Sequence, residues 1–268
     1  MKLTVVELPD SLAEFEAAWA ALVEHVRAAA SDIVLLSEVP FAPWFATSPM
    51  FVDAAWREVC TAHSRWATRL EELSGAAVVY TSPVGAGESR RNRGMLWTAE
   101  GGESDLRDKV LLPDEDPTWE ASWYGRGGDP PAPFDVAGAA AGLLICSEIW
   151  SLGWASDLGR AGARLLLTPR ATGVESLDNW FAVGRVAAIS SGTFSLSSNR
   201  VGNGFGGGGW VFAPDGSLLG RTSVEAPFVT VTVDLGDADR AKSTYPRYVT
   251  WRRPAPSRGT AAQPPTNP

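Results

Sequence analysis

Two polar residues stand at the ends of apolar runs, where side chains in α/β proteins commonly carry out chemistry. Glu38 follows the β-branched run 32–37, and Cys146 follows the apolar run 141–145. A cysteine at such a turn lies near backbone N–H groups, which favour the thiolate and can bind an oxyanion. The pattern favours a cysteine nucleophile that needs a buried carboxylate as its base and a lysine to stabilise a tetrahedral intermediate.

Composition removes the common alternatives to such a site. The only histidines of the 268-residue chain are His25 and His63, and the only other cysteine is Cys60, so neither a histidine triad nor a disulfide framework is expected. Cys60 and His63 are one helical turn apart and are predicted to be core residues, with no metal and no cofactor. The net charge of −8 argues against nucleic acid as a partner.

Hydrophobic periodicity predicts the elements that must position these residues. Helical spacing covers 12–30, 48–73, 151–160 and 177–190, the first helix opening with a capping box from Ser11 and Glu14. Strands are predicted at 3–8, 32–37, 76–80, 141–145, 164–168, 193–198, 210–213 and 228–233, with a hairpin within 83–108. This alternation indicates one layered α/β domain. No run is long enough for a signal peptide or a membrane span, which predicts a cytoplasmic protein without a membrane partner.

Several blocks in a fixed order give the chain a family resemblance. The blocks are Ile33-Val34-Leu35-Leu36-Ser37-Glu38, Arg107-Asp108-Lys109-Val110-Leu111-Leu112-Pro113, Glu120 with Tyr124 and Gly127, Gly142-Leu143-Leu144-Ile145-Cys146-Ser147-Glu148, Asn179-Trp180 with Arg185, Ser198-Asn199-Arg200-Val201-Gly202 and Pro214-Asp215-Gly216. Over roughly residues 3 to 235 the chain resembles the nitrilase superfamily of carbon–nitrogen hydrolases. Each block is weak alone, but their order and spacing together are specific.

The resemblance implies a role for each matching residue. Cys146 would be the nucleophile, Glu38 the general base and Lys109 the cation that stabilises the oxyanion. Glu120 would orient Lys109 or the substrate amine and assist proton transfer. The backbone N–H of Ser147 would complete the oxyanion site. The implied fold is a single-domain, four-layer α-β-β-α sandwich over 1–238, paired into homodimers or higher homo-oligomers. Residues 239–268 would form a Pro-rich, partly disordered extension.

The implied activity is hydrolysis of a small carboxamide or N-carbamoyl compound through a cysteine thioester. The alternatives are a nitrile hydrolase, an amide-forming acyltransferase and a non-catalytic scaffold. Departures from the family pattern concern the substrate-facing rim, where Trp150 stands at a position that is commonly arginine. Candidate substrate-binding residues, besides Ser147, are Trp44, Trp123, Tyr124, Trp150 and Arg170, the last as a contact to a substrate carboxylate.

Two composition biases accompany these candidates. Five of the twelve tryptophans lie near the predicted catalytic blocks, which favours either core packing or a flat-walled pocket for an aromatic or extended apolar acyl group. The glycine-rich run 202–209 lacks the context of a phosphate-binding loop and is predicted to be a flexible loop at the rim.

Overall fold

The computed structural model describes residues 1–73, 75–85 and 87–251. The strands within them are β1 (Lys2–Pro9), β2 (Ile33–Leu35), β3 (Ala77–Val84), β4 (Arg91–Thr98), β5 (Gly102–Asp108), β6 (Phe134–Val136), β7 (Ala139–Leu143), β8 (Leu165–Pro169), β9 (Phe194–Gly202), β10 (Phe205–Gly206), β11 (Trp210–Phe212), β12 (Leu218–Arg221) and β13 (Phe228–Thr232). The helices are α1 (Leu12–Ala29), α2 (Asp53–Ala67), α3 (Glu120–Trp123), α4 (Leu152–Arg160), α5 (Leu177–Ser191), α6 (Gly236–Lys242) and α7 (Arg247–Thr250).

The two faces of the central strands bury two different sets of apolar side chains. Val6, Val34 and Val78 face the layer of α1, whose Phe15, Trp19, Leu22 and Val26 are buried against them. Because side chains alternate along a strand, Leu3 and Leu35 point the other way and join one core with Leu143, Leu165 and Leu196 of the second half. Trp180, Val183 and Leu158 of α5 and α4 extend that core on its far side. The four-layer α-β-β-α fold predicted from the sequence is therefore confirmed.

Strand order explains why the polar residues meet. The path runs β5-β4-β3-β2-β1-β9-β8-β7-β6, and β1 joins the two halves by pairing with β2 and, through Glu7–Pro9, with β9. The pairs β1–β2, β1–β9, β8–β9 and β7–β8 are all parallel. The carboxyl ends of β2, β7 and β8 consequently lie at one edge, which is where Glu38, Cys146 and Arg170 follow them.

Several predicted boundaries were wrong. The second helix begins at Asp53 rather than at Ser48, because residues 48–50 form a turn in which the Met50 N–H bonds to the Ser48 hydroxyl. The Ser11 side chain makes no capping bond, and the Glu14 N–H instead reaches the Ser11 backbone oxygen at 3.2 Å. Strands β2 and β7 end at Leu35 and Leu143, before the predicted 37 and 145.

The C-terminal extension begins with ordered helix. Helix α6 crosses the predicted boundary at 238, and Arg247 of α7 is buried, donating to the backbone oxygens of Ala241 and Ile189. The indole of Trp251 donates to Ser156 at 2.9 Å. The part of the extension up to Trp251 thus packs on its own chain, and residues 252–268, for which disorder was predicted, lie outside the described residues. Among the described helices, none combines the length and hydropathy that a bilayer crossing requires.

Candidate active site

A buried lysine holds two carboxylates together at the edge where the strands end. The Lys109 Nζ lies 2.7 Å from Glu38 Oε1 and 2.8 and 2.7 Å from the two carboxylate oxygens of Glu120. All three side chains are at most 1% exposed. Asn92 of β4 donates to the same Glu38 oxygen at 2.8 Å. We call Lys109, Glu38 and Glu120 the lysine trio.

The backbone around Glu38 is held by a second buried cation. Val39 has a φ of +46°, a left-handed conformation that is strained for a β-branched residue. Arg200 fixes this turn by donating to the backbone oxygens of Glu38 and Val39 while it pairs with Asp10. The hydrogen bonds from Arg200 thus hold Val39 in its strained conformation, and they fix the backbone of the adjacent Glu38.

The other two members of the trio come from loops of the first half. Lys109 directly follows β5, and its N–H and C=O bond to Asn92 and Gly127. Glu120 opens the one-turn helix α3. The neighbouring Glu115 is exposed, so burial distinguishes the two glutamates of this acidic tract.

Cys146 lies on a turn with unusual backbone geometry. Its φ is +47°, and it begins the 3₁₀ turn Cys146–Trp150 just after β7. Its side chain is 5% exposed, and the charges of Glu38, Lys109 and Glu120 are close enough to act on its thiol. The backbone N–H of Ala171 also acts on the thiol and opposes the rise of its pKa. The structure therefore brings Cys146 and the lysine trio together, as the sequence predicted.

A buried carboxylate ties the cysteine turn to the lysine segment. Glu148 accepts the N–H of Ile145 at 2.9 Å and that of Val110 at 2.7 Å, one residue from Cys146 and from Lys109 respectively. Both terminal nitrogens of Arg107 donate to the same carboxylate. We call Arg107 and Glu148 the arginine pair. Ser147 adds a second tie, since its hydroxyl donates to the Leu111 oxygen at 2.5 Å.

Burial and neighbouring charge set the protonation of the site. Burial alone would lower the pKa of Lys109, but Glu120 and Glu38 outweigh it and raise that pKa, so Lys109 stays charged. Burial raises the pKa of Glu120 to about 8, with Lys109 opposing and the charge of Glu38 adding to the rise. Burial and Glu38 also raise the pKa of Cys146, against the lowering effects of Lys109 and of the Ala171 N–H. The backbone N–H of Ala171 acts in the expected direction, towards the thiolate, but burial and Glu38 outweigh it, so the pKa of Cys146 is raised and the thiol needs a base.

The predicted substrate-binding residues have different environments. Trp150 is 49% exposed and lies edge-on against Trp180, with ring centroids 5.3 Å apart. Trp44 is half-buried beside Arg200 and Phe205. Trp123 is 2% exposed and packed against Phe45 and Phe51 in an aromatic cluster.

Tyr124 extends from that cluster towards the trio. Its ring packs on Trp56 at 5.5 Å, whereas its buried hydroxyl has no partner among the described residues. Burial and the charges of Glu120 and Glu38 raise its pKa well above the usual range. The hydroxyl is therefore a neutral, unoccupied hydrogen-bonding group close to both carboxylates.

Arg170 is not placed to meet a substrate carboxylate, contrary to the prediction. It is completely buried, and its guanidinium donates to the hydroxyls of Ser197 and Thr172 and to the backbone oxygen of Gly208. Its centre lies 4.2 Å from the ring centroid of Trp210. Burial lowers the pKa of Arg170 to about 9.

The glycine-rich run is anchored rather than free. The N–H of Gly208 donates to buried Glu7 while its C=O accepts from Arg170. Gly207 has a φ of +58°, and a Cβ there would lie 2.5 Å from the Glu7 carboxyl carbon. Residues 207–209 are buried, and only 202–204 are exposed. The prediction of a flexible loop over the whole of 202–209 was wrong.

Sequence reasoning missed the residues that position the others. Asn92, Arg200 and Glu148 had no assigned role, although Glu148 and Arg107 stand two residues from Cys146 and Lys109. That spacing places Arg107 and Lys109 on one side of an extended segment and was the available signal. Of the two α2 residues predicted to be core, His63 is buried, whereas Cys60 is half-buried and its thiol donates to the Pro83 backbone oxygen.

Comparison with known proteins agrees with this geometry. The family model described as carbon-nitrogen hydrolase matches residues 2–243. The chain therefore belongs to the carbon–nitrogen hydrolase family, and the resemblance to the nitrilase superfamily noted from its motifs is confirmed. No curated protein sequence matches it significantly.

Solved structures share the fold at low sequence identity. A carbon-nitrogen hydrolase from Helicobacter pylori G27 aligns with a TM-score of 0.82 at 18% identity, covering 94% of this chain and 95% of the other. An amidase from Nesterenkonia sp. aligns with a TM-score of 0.75 at 19% identity, covering 94% and 96%. The Caenorhabditis elegans NitFhit protein aligns with a TM-score of 0.81 at 17% identity, covering 94% of this chain and 65% of its own.

Proposed function

We propose that the chain hydrolyses the C–N bond of small carboxamides or N-carbamoyl compounds through a thioester on Cys146. The observation that carries the proposal is the lysine trio beside a thiol on a left-handed turn. The trio is buried, Lys109 bonds to both carboxylates, and its three charges act on Cys146. An arrangement of this kind supplies a nucleophile, a base and a fixed cation without histidine.

The steps follow from which group can take a proton. Because the resting Cys146 is a thiol, Glu38 accepts its proton as the sulfur forms a bond to the carbonyl carbon. Lys109 and the Ser147 N–H stabilise the negative oxygen of the tetrahedral intermediate. The C–N bond then breaks, the proton held by Glu38 passes to the departing nitrogen, and ammonia or an amine leaves.

Water completes the cycle at the same carbon. Glu38 takes a proton from the water as its oxygen bonds to the thioester carbon, and the C–S bond breaks to release the acid and return the thiol. Glu120 fixes the Lys109 ammonium through both of its oxygens, so it positions the cation in both half-reactions.

A structural neighbour supports a nucleophilic cysteine at this place in the fold. One structure of the Nesterenkonia amidase, of a glutamate-to-glutamine mutant, is described as showing covalent addition of the acetamide moiety of fluoroacetamide at the active-site cysteine. That neighbour shares 20% identity with this chain, with a TM-score of 0.74. We transfer to Cys146 only the nucleophilic character of the cysteine, since an acetamide group on sulfur is a thioether and the thioester step is our own proposal.

Intact-mass spectrometry with a panel of amides and nitriles tests the proposal. We expect released ammonia and an acyl adduct on the wild-type chain that is absent from Cys146→Ala. No adduct and no ammonia across the panel would favour the non-catalytic scaffold. Turnover of nitriles in preference to amides would favour a nitrile hydrolase, and product partition towards amides when amines are added would favour an acyltransferase.

Two expectations about the protein's setting belong to the same proposal. Association into a homodimer or a larger homo-oligomer is tested by light scattering coupled to size exclusion. A cytoplasmic location is tested by cell fractionation. Neither affects the chemistry proposed for Cys146.

A further inference from the structure

Four cations lie in the interior around the candidate site, and each is already engaged by the protein. Lys109 bonds to Glu38 and Glu120, and Arg107 bonds to Glu148. Arg200 pairs with Asp10 and donates to two backbone oxygens of the Glu38 turn. The fourth, Arg170, donates to Ser197, Thr172 and Gly208. In the described part of the chain, the three arginines are thus committed to protein partners, and Lys109 is committed to its two glutamates and, in the proposed reaction, to the oxyanion, so none of the four is left for a substrate carboxylate.

Arg170 is the cation that a substrate carboxylate would need, and it is the least available. Its guanidinium donates through all three nitrogens to protein oxygens. It also lies over the rings of Trp210 and Trp180, 4.2 and 5.5 Å from their centroids. Recruiting it would break three buried hydrogen bonds and release the Gly208 backbone.

The hydrogen-bonding groups left open on the lysine trio and close to it are mostly acceptors. The Ser37 hydroxyl and the Arg107 Nε are also buried without a partner among the described residues, but Glu148 already neutralises the charge of Arg107. Within the described residues, Glu38 Oε2, Asn92 Oδ1 and the Tyr124 hydroxyl are buried and have no partner. Two of these three can only accept, and the third is a phenol held neutral by its raised pKa. A carboxylate offers acceptors alone, whereas a primary carboxamide offers two N–H donors.

We propose that this site selects uncharged carboxamides and rejects compounds that carry a carboxylate close to the reacting carbon. The inference rests on the proposed function and narrows its substrate class, removing N-carbamoyl amino acids and short monoamides of dicarboxylic acids. Two glutamates share one lysine, and the surrounding arginines are already bound to protein oxygens. The unpaired groups close to the trio are mostly hydrogen-bond acceptors, which a substrate N–H can satisfy and a carboxylate cannot. A substrate carboxylate would be buried without a partner, at a large cost.

Iodoacetamide and iodoacetate form a matched pair of probes for this selection. Either reagent forms a bond from the Cys146 sulfur to its methylene carbon as the C–I bond breaks, with iodide leaving and the thiol proton passing to Glu38. They differ in whether the group next to that carbon is a neutral amide or a carboxylate. Peptide mass mapping separates Cys146 from Cys60, and the same chain unfolded in urea gives the reference rates.

We expect the iodoacetamide-to-iodoacetate rate ratio at Cys146 to be about 100-fold larger in the folded chain than in urea. A ratio less than about tenfold above the urea reference overturns the proposal. Failure of both reagents to alkylate folded Cys146 also overturns it, because the site would then not admit even a small amide.

An isosteric variant tests whether charge causes the preference. Glu38→Gln removes one negative charge and slows both reactions, but the rate ratio should fall towards the urea value. Glu115→Gln removes an exposed carboxylate of the same acidic tract and should leave the ratio unchanged. An unchanged ratio in Glu38→Gln would overturn the electrostatic basis.

The two proposals fail in different ways. If no amide is turned over while the alkylation preference holds, the proposed hydrolysis is wrong and the charge selection stands. If amides with and without a neighbouring carboxylate are hydrolysed alike, the hydrolysis stands and the charge selection is wrong.

Discussion

The lysine trio and the arginine pair are both buried ion clusters, yet they differ in how completely their carboxyl oxygens are hydrogen-bonded. In the arginine pair, one carboxylate meets one guanidinium, and both oxygens of Glu148 also accept backbone N–H groups. In the lysine trio, two glutamate side chains share one ammonium, burial raises the pKa of one of them, Glu120, and Glu38 Oε2 is left without a partner among the described residues.

The difference separates a group that holds the structure from groups that can react. A fully bonded carboxylate has no low-energy way to take up a proton, and Glu148 accordingly fixes the cysteine turn to the lysine segment. A carboxylate with a free oxygen and a crowded charge environment can accept a proton and give it up again. We therefore assign proton transfer to the trio and positioning to the pair.

Glu38→Gln is expected to have the largest effect on activity. The variant keeps the size of the side chain and its contacts with Lys109 but removes the base, so kcat/KM for a reactive amide should fall by about 10²- to 10⁴-fold. Circular dichroism should show the wild-type fold. Activity within about threefold of wild type would mean that Glu38 is not the base.

Glu148→Gln is expected to act mainly on stability. It leaves Arg107 without its counter-charge and turns a carboxamide nitrogen towards existing N–H donors, so the free energy of unfolding should fall by about 3–5 kcal/mol. Urea unfolding measures this. The matched control Glu115→Gln, at an exposed position, should change it by less than about 0.5 kcal/mol. Equal losses of unfolding free energy in the two variants would show that Glu148 does not stabilise the fold, and the positioning role of the arginine pair would be wrong.

The sequence predicted one side of this comparison better than the other. Glu38, Lys109, Glu120 and Cys146 stand in motif blocks whose order is visible in the chain, and the α/β layering follows from hydrophobic periodicity. The arginine pair was not assigned, because its role depends on β5 and the cysteine turn meeting across the fold. The role predicted for Arg170 was wrong for a related reason. An arginine at the end of a strand suggests a ligand contact, and the sequence does not show that Ser197, Thr172 and Gly208 supply its acceptors.

Local boundaries failed where tertiary contacts override local preference. Ser11 is a favourable capping residue, yet the first turn of α1 forms without its side chain. The glycine run 202–209 looks flexible by composition, but Glu7 accepts the N–H of Gly208 and Arg170 donates to its C=O. Both Glu7 and Arg170 are distant in sequence, so no local pattern could indicate the anchor.

The pH dependence of the free energy of unfolding tests whether burial in the lysine trio raises the pKa of Glu120. The pKa of Glu120 is raised from its ordinary 4.5 to about 8, so between these pH values the folded chain binds more protons than the unfolded chain. The free energy of unfolding should therefore decrease as pH rises from about 4.5 to 8, by up to about 1.4 kcal/mol per pH unit from this group.

Comparison of variants isolates that contribution. Glu120→Gln has no proton to lose and should flatten the decrease, whereas Glu115→Gln should retain it. Urea unfolding at a series of pH values provides the measurement. A decrease that is identical in Glu120→Gln would assign the buried proton to another group.

A surface ion pair supplies the smallest expected effect and shows what burial contributes. Arg57 and Asp53 of α2 are 2.7 Å apart, the same separation as Lys109 and Glu38, but their side chains are 77% and 60% exposed. Water screens such a pair, so a double-mutant cycle with alanine at both positions should give a coupling of about 0.3–0.5 kcal/mol that vanishes at high salt. A coupling as large as that lost in Glu148→Gln would show that separation alone, rather than burial with full hydrogen bonding, sets the strength of these ion pairs.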